Sequence, residues 1–302
     1  MRNPKISNKR QIASITRYTL TEGRGAGLDV IDCDNGRLRF MLCVSRALDI
    51  MQMWHKGENV SFVSKNGFVN DKGDFLSRFE GGMLYTCGTD SMGGREGFVQ
   101  HGTHHITGAA VTRMECDDNE ITVEATITES ALFGRNLTIK RCVQTEIGSE
   151  TVRVTDTLIN EGYKPCDYCL LYHVNVGYPL LDAGATVEGK ISSIYTKNPY
   201  ALSHIDKALL MEEATYEAET CYYLTLDEPV ISLVNKERGK KFSLKYTNET
   251  LPAFLMWKSM VAGDYALGLE PCTTRLDNTF EYKKVEPGES VKFGIELSVN
   301  EI

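Results

Sequence analysis

Three of the chain's six histidines fall within five residues, at 101, 104 and 105 in the stretch Q-H-G-T-H-H-I-T-G (residues 100–108). Imidazoles gathered this way suit a metal site, acid–base chemistry, or a polar loop with no chemistry. A fourth, His173, stands in C-L-L-Y-H-V-N-V-G-Y-P (169–179), two residues before Asn175. A carboxylate, Glu270, lies near the end of Y-A-L-G-L-E-P (265–271), and Arg46 lies in S-R-A-L-D-I (45–50). An imidazole and a carboxylate together can give and take protons. Arginine suits two-pronged contact with oxygen-rich ligands, and equally an ion pair with Asp49 or another acid. The spacing H-x-x-H-H is not the helical zinc pattern H-E-x-x-H, which the chain lacks.

These residues need elements to aim them. Read as a strand, 169–179 sets Leu171, His173, Asn175 and Gly177 on one face and Leu170, Tyr172, Val174 and Val176 on the other, the core face. In 265–271, Tyr265, Leu267 and Leu269 form the apolar face, while Ala266 and Gly268 leave open space beside Glu270. A strand-face histidine can also be a plain hydrogen-bonding residue, and a strand-end acid a solvated edge. Residues 81–97 hold six glycines without a phosphate-loop ending, and read as a long loop into the histidine cluster. Continued as a strand, His101, Thr103 and His105 share a face, with His104 opposite.

Period-two alternation runs through the rest. Ile121, Val123, Ala125 and Ile127 alternate with polar residues, and residues 137–146 and 150–160 form a hairpin across I-G-S. Val291, Phe293, Ile295, Leu297 and Val299 alternate after the turn E-P-G-E-S. Residues 205–217 give the best helical stretch, short and peripheral. Many short strands, no linker and no repeat predict a single all-β domain over 1–302, a sandwich or barrel.

Composition excludes several classes. A net charge of −8 opposes nucleic acid or an anionic membrane as partner. No apolar run approaches a membrane span, and the basic N-terminus lacks the apolar stretch of a secretory signal. Nine irregularly spaced cysteines, including the lone C-D-Y-C at 166–169, read as reduced thiols of a cytoplasmic protein.

Taken in order, G-G-M-L-Y-T-C-G, the H-G segment, F-G-R-N-L-T-I-K-R, L-Y-H-V-N-V-G-Y-P-L-L-D-A-G-A and M-W-K followed by Y-A-L-G-L-E-P resemble the aldose 1-epimerase-like group, the galactose mutarotase superfamily. The resemblance runs from Arg46 to Thr274. It implies a large antiparallel β-supersandwich with a sugar site on its concave face. It implies interconversion of sugar anomers, with a small-molecule sugar as partner and no metal or other cofactor. His173 falls where the group has its general acid, Glu270 where it has its base, and His101 where a second sugar-contacting histidine is expected. Arg46 falls on an R-G-L-D-I-like segment. The branch commonly reads H-G-R-I-S-N; here Thr103 replaces the arginine, so that His104 or His105 would supply the lost sugar contacts. Asp182 and Asp264 are candidates for a substrate-holding aspartate.

The acid–base chemistry expects a base at the anomeric hydroxyl and an acid at the ring oxygen, on opposite sides of the ring, with Glu270 ionised and His173 protonated. Two other functions stay open. One is a metal-dependent sugar isomerase using His101, His104, His105, His173 and Glu270. The other is a sugar-binding protein without catalysis.

Overall fold

The computed structural model describes residues 4–71 and 73–302. Five strands, β1 (Ser14–Thr19), β2 (Asp29–Asp34), β3 (Leu38–Cys43), β4 (Asp49–His55) and β5 (Glu58–Asn59), form one sheet in sequence order. A thirteen-stranded sheet takes the rest. Its first members are β6 (Tyr85–Thr89), β7 (Ala110–Cys116), β8 (Glu120–Ser130), β9 (Asn136–Glu146), β10 (Thr151–Asn160) and β11 (Cys166–Val176). Then come β12 (Thr186–Tyr195), β13 (Thr220–Asn235), β14 (Lys240–Tyr246), β15 (Ala253–Val261), β16 (Asp264–Cys272), β17 (Lys283–Val285) and β18 (Ser290–Glu301). The helices α1 (Phe75–Arg78) and α2 (Pro199–Ser203) are single turns. The architecture is therefore all-β and antiparallel, as the alternation predicts, and of the two forms left open, sandwich or barrel, it is the sandwich.

The predicted strands at 121–128, 137–146, 150–160 and 291–299 all form, the middle two as the paired β9 and β10. The helix expected over 205–217 does not. Only Ile205–Lys207 coils, as a 3-10 turn. Leu209, Leu210 and Met211 are consecutive, not spaced to face one side of a helix. Instead Met211 donates its N–H to the Ala185 carbonyl and Leu210 bridges to Thr186, so the segment runs extended beside β12.

The main core draws Phe40 and Leu42 from the small sheet, Ile139 and Val143 from β9, and Leu170, Tyr172, Val174 and Val176 from β11. The large sheet thus wraps around one core, leaving the opposite face of β6, β11, β16, β15 and β13 for a second cluster of Tyr85, Leu171, Tyr223 and Leu255. Arg141, fully buried, fixes the strands beneath this face. It grips Asp156 through two bonds (2.9 and 2.7 Å) and Asp49 at 2.5 Å, and also bonds Thr86 of β6. Tyr172 of β11 donates to Asp156, and Thr86 donates to Asp49 through both its N–H and its hydroxyl. A buried guanidinium is tolerable only when so fully paired.

Candidate functional site

The pairing of β11 with β16 decides the site. Leu171 lies opposite Cys272 and Val174 opposite Leu269, which sets His173 opposite Glu270. On its other side His173 pairs with Tyr85 of β6, while Glu270 pairs with Leu255 of β15 and Leu255 with Tyr223 of β13. Directly paired residues share a face, so Tyr85, His173, Glu270, Leu255 and Tyr223 form one row. The face assignment read from the sequence is the one seen.

His173 Nε2 lies 3.2 Å from Glu270 Oε1, with both side chains buried. Gly268 makes the approach possible. A Cβ there would stand 2.6 Å from Glu270 Oε1 and 3.0 Å from His173 Cε1. The open space expected beside Glu270 is thus filled by the carboxylate and imidazole themselves. Burial raises the Glu270 carboxyl to about 8, with Glu219 adding to it. Burial lowers His173 to about 3, with His101 adding and Asn175 opposing. Burial thus favours the opposite ordering to the one expected from the sequence, an ionised Glu270 beside a protonated His173. Between these limits the pair holds one proton, with the neutral arrangement favoured. The two groups are also neighbours, and do not stand on opposite sides of a ring-sized gap. Glu270 Oε1, His173 Nδ1 and Asn175 Oδ1 are buried polar atoms without an aligned hydrogen-bond partner, all at one place.

Aromatic rings close over the pair. Trp257 and Phe79 lie 5.5 and 5.8 Å from the His173 ring, centroid to centroid, and His101 lies 5.8 Å away. The histidine segment is not a strand. His101 has φ of +64° and Gly102 +80°, and a Cβ on Gly102 would meet the Ser91 and Gly88 carbonyls at 2.3 and 2.4 Å. Only glycine allows that turn. Backbone bonds from His101 N–H to the Gly93 carbonyl and from Gly88 N–H to the His101 carbonyl hold it, and His104–Ile106 then coils as a 3-10 turn.

The three histidines consequently have different partners. His101 places Nδ1 3.3 Å from Cys87 Sγ and packs on Phe75. Burial, then the Arg78 charge, lowers it to about 4. His104 turns away to Glu129, 2.6 Å distant. His105 meets the Tyr85 hydroxyl at 2.8 Å and Arg78 Nη1 at 3.3 Å, both through Nδ1. Arginine only donates, so that nitrogen accepts and the proton sits on Nε2, facing the Gln100 carbonyl. Among the described residues no three His, Cys, Asp or Glu side chains converge as metal ligands.

Asn175 bonds the Gly82 and His173 carbonyls through Nδ2, tying β11 to the segment before β6. Arg46 pairs with Glu80 at 2.6 Å, both side chains buried, so the ion-pair alternative is the one seen, with Glu80 in place of Asp49. Its charge acts on Tyr85, the neighbour of His173 on β6. Asp182 caps Ala183 and stands 3.7 Å from Arg238, and Asp264 pairs with Lys65. Asp264 begins β16, six residues or roughly 20 Å along the strand from Glu270. Neither aspartate is brought to the pair. Sequence reasoning missed Phe75, Arg78, Phe79 and Glu80, because the segment around α1 has no periodic pattern to announce them. Trp257 entered only within the M-W-K motif, with no role given to it.

A family described as a domain of unknown function, DUF4432, matches residues 25–299. The chain belongs to that family. No curated protein matches it. Among solved structures, one described as a "putative aldose 1-epimerase" from Klebsiella pneumoniae superposes with a TM-score of 0.85 at 23% identity, covering 95% of this chain and 83% of that one. A galactose mutarotase-like protein from Clostridium acetobutylicum gives 0.72 at 12% identity, covering 97% and 100%. A galactose 1-epimerase from Lactobacillus acidophilus gives 0.66 at 12%, covering 96% and 99%. The DUF4432 chain thus has the galactose mutarotase-like β-sandwich fold that its motifs imply. Among the described residues no helix is long and apolar enough to cross a membrane.

Proposed function

We propose that the protein is an aldose 1-epimerase-type isomerase that interconverts the anomers of a sugar, with His173 and Glu270 as its acid–base pair. The observation that carries this reading is their 3.2 Å contact inside a buried site containing unsatisfied polar atoms. The anomeric hydroxyl and the ring oxygen are both bonded to C1, so adjacent acid and base groups can serve both. One member takes the hydroxyl proton as the C1–ring-oxygen bond breaks, and the other protonates the ring oxygen. The open-chain carbonyl turns about C1–C2, and the transfers reverse on the other face. The reaction leaves the pair's proton count unchanged, so a pair sharing one proton is sufficient. The family resemblance has His173 start as the acid; burial favours a start with the proton on Glu270. On binding, the contact between the two is exchanged for contacts to the sugar oxygens.

His101 and Trp257 flank the ring in this reading, and Asn175 presents Oδ1. His105, locked to Tyr85 and Arg78, shapes the wall. The pair's neutral, mutually contacting arrangement supports a second reading, sugar binding without turnover. Anomer-exchange NMR across a panel of sugars separates the two. Exchange between anomeric signals, accelerated by the protein, supports catalysis; binding without exchange supports the second reading.

A further inference from the structure

A cavity of about 370 Å³ opens on the site's face of the sheet, one to two strands from Glu270. Its floor includes Leu255, the cross-strand partner of Glu270, and Tyr223, the partner of Leu255. These lie roughly 5 and 10 Å across the sheet from the carboxylate strand. We propose that this cavity binds an anionic group, a phosphate or a carboxylate, carried by the sugar whose anomeric carbon meets His173 and Glu270. The position of the sugar rests on the proposed function; the charge does not.

The cavity carries an excess of cations. Arg95 and Lys197 line the cavity, and Arg275 lies over the Tyr223 ring of its floor. Among the described residues none of the three forms an ion pair with a carboxylate. Arg95 bonds the Tyr282 hydroxyl at 2.7 Å and rests on the Phe280 ring, 4.1 Å from its centroid. Lys197 bonds the Leu276 carbonyl at 2.7 Å. Neutral partners hold these groups in place without discharging them. Asp277 is the one acid among the lining residues; it accepts the N–H and the hydroxyl of Thr279, and its charge also acts on Arg275 and Lys197, so three cations stand against one carboxylate. This occurs in a chain with 41 acidic and 33 basic residues, where most of the surface repels anions. Some surface arginines are matched, as Arg17 is with Asp29 and Arg39 with Asp32; what sets Arg95 and Lys197 apart is that they line one cavity together.

The cavity is also coupled by the backbone to the catalytic pair. The loop that ends at His101 carries Arg95, and the His101 N–H bonds Gly93. The turn that sets His101 beside His173 therefore sets Arg95 over the cavity. A monosaccharide bearing its charge at the end away from C1 spans the interval between them.

The test is a set of dissociation constants from ligand-observed NMR titration of the full chain with D-glucose, D-glucose 6-phosphate and D-glucuronate, repeated with the galacto series. In at least one series an anionic sugar should bind about ten-fold more tightly than its neutral counterpart, and the advantage should shrink in about 0.5 M NaCl. The phosphate and carboxylate arms tell which anion fits. Arg95→Met/Lys197→Met should bring the anionic-to-neutral ratio close to one. Lys197→Met alone, at an exposed position, should at least halve the advantage and serves if the double variant does not fold. Neutral sugars binding as well as anionic ones in wild type, or an unchanged ratio in the variants, overturns the subsite. Exchange spectra on the same samples read the mutarotase claim separately. An anionic sugar bound through these residues but not equilibrated leaves the subsite standing and the catalytic reading fallen; neutral sugars equilibrated with no charge preference give the reverse.

Discussion

Glu270 and His173 face each other across one rung of the β11–β16 ladder, Nε2 to Oε1 at 3.2 Å, and burial drives their affinities for protons in opposite directions. Most of what can be tested follows from that relationship.

The rate of anomer exchange should be bell-shaped in pH. Below about 3 the pair takes up a second proton, and above about 8 it loses its only one. Neither state can give and take in the same cycle. The alkaline limb should therefore lie near 8, well above the ordinary range of a carboxylate. A rate still rising with pH above 9 would show that the one-proton pair is not the working form.

Glu270 should also leave a mark on stability. Its value is raised from 4.5 to about 8 in the folded chain, so the stability it contributes is complete below 4.5 and is lost as pH rises towards 8. Glutamine cannot ionise, so Glu270→Gln should gain stability relative to wild type between pH 5 and pH 9. His173 is lowered, and its contribution is lost as pH falls from 6.5 towards 3; His173→Asn should gain relative to wild type on acidification. Urea midpoints across pH measure both. Parallel wild-type and variant curves would contradict the burial argument.

How much of this was readable in advance follows from periodicity. The faces of β11 and β16 could be assigned because alternation alone decides which residues point together, and the L-Y-H-V-N and L-G-L-E-P motifs then marked the candidate face. The histidine cluster could not be read that way. Its geometry depends on left-handed backbone at His101 and Gly102 and on carbonyls of Ser91 and Gly88, and strand alternation predicts none of these. Arg46 was likewise ambiguous. Asp49, its nearest acid in sequence, is taken by Arg141, ninety-two residues on, leaving Arg46 to Glu80.

Gly268→Ala should damage activity more than stability. The added methyl would meet Glu270 Oε1 at 2.6 Å and force the carboxylate or imidazole aside. Displacing an acid–base group should cost at least about ten-fold in turnover, with the fold retained by circular dichroism. Near-normal turnover would mean that the observed contact is not the catalytic arrangement.

Arg141→Leu should cost about 3–5 kcal/mol in urea unfolding, because it strands Asp49 and Asp156 as buried charges. A loss below about 1 kcal/mol would show that the network holds β6 and β11 far less firmly than its complete bonding indicates.

The most direct test is anomer-exchange NMR on wild type, Glu270→Gln and His173→Asn with a sugar that the protein equilibrates. Each variant should stay folded and lose at least about a hundredfold in turnover. Their combined loss should fall short of the product, because the two groups act in one transition state. Near-wild-type exchange in either variant would contradict the account, leaving that residue a sugar contact or a structural group.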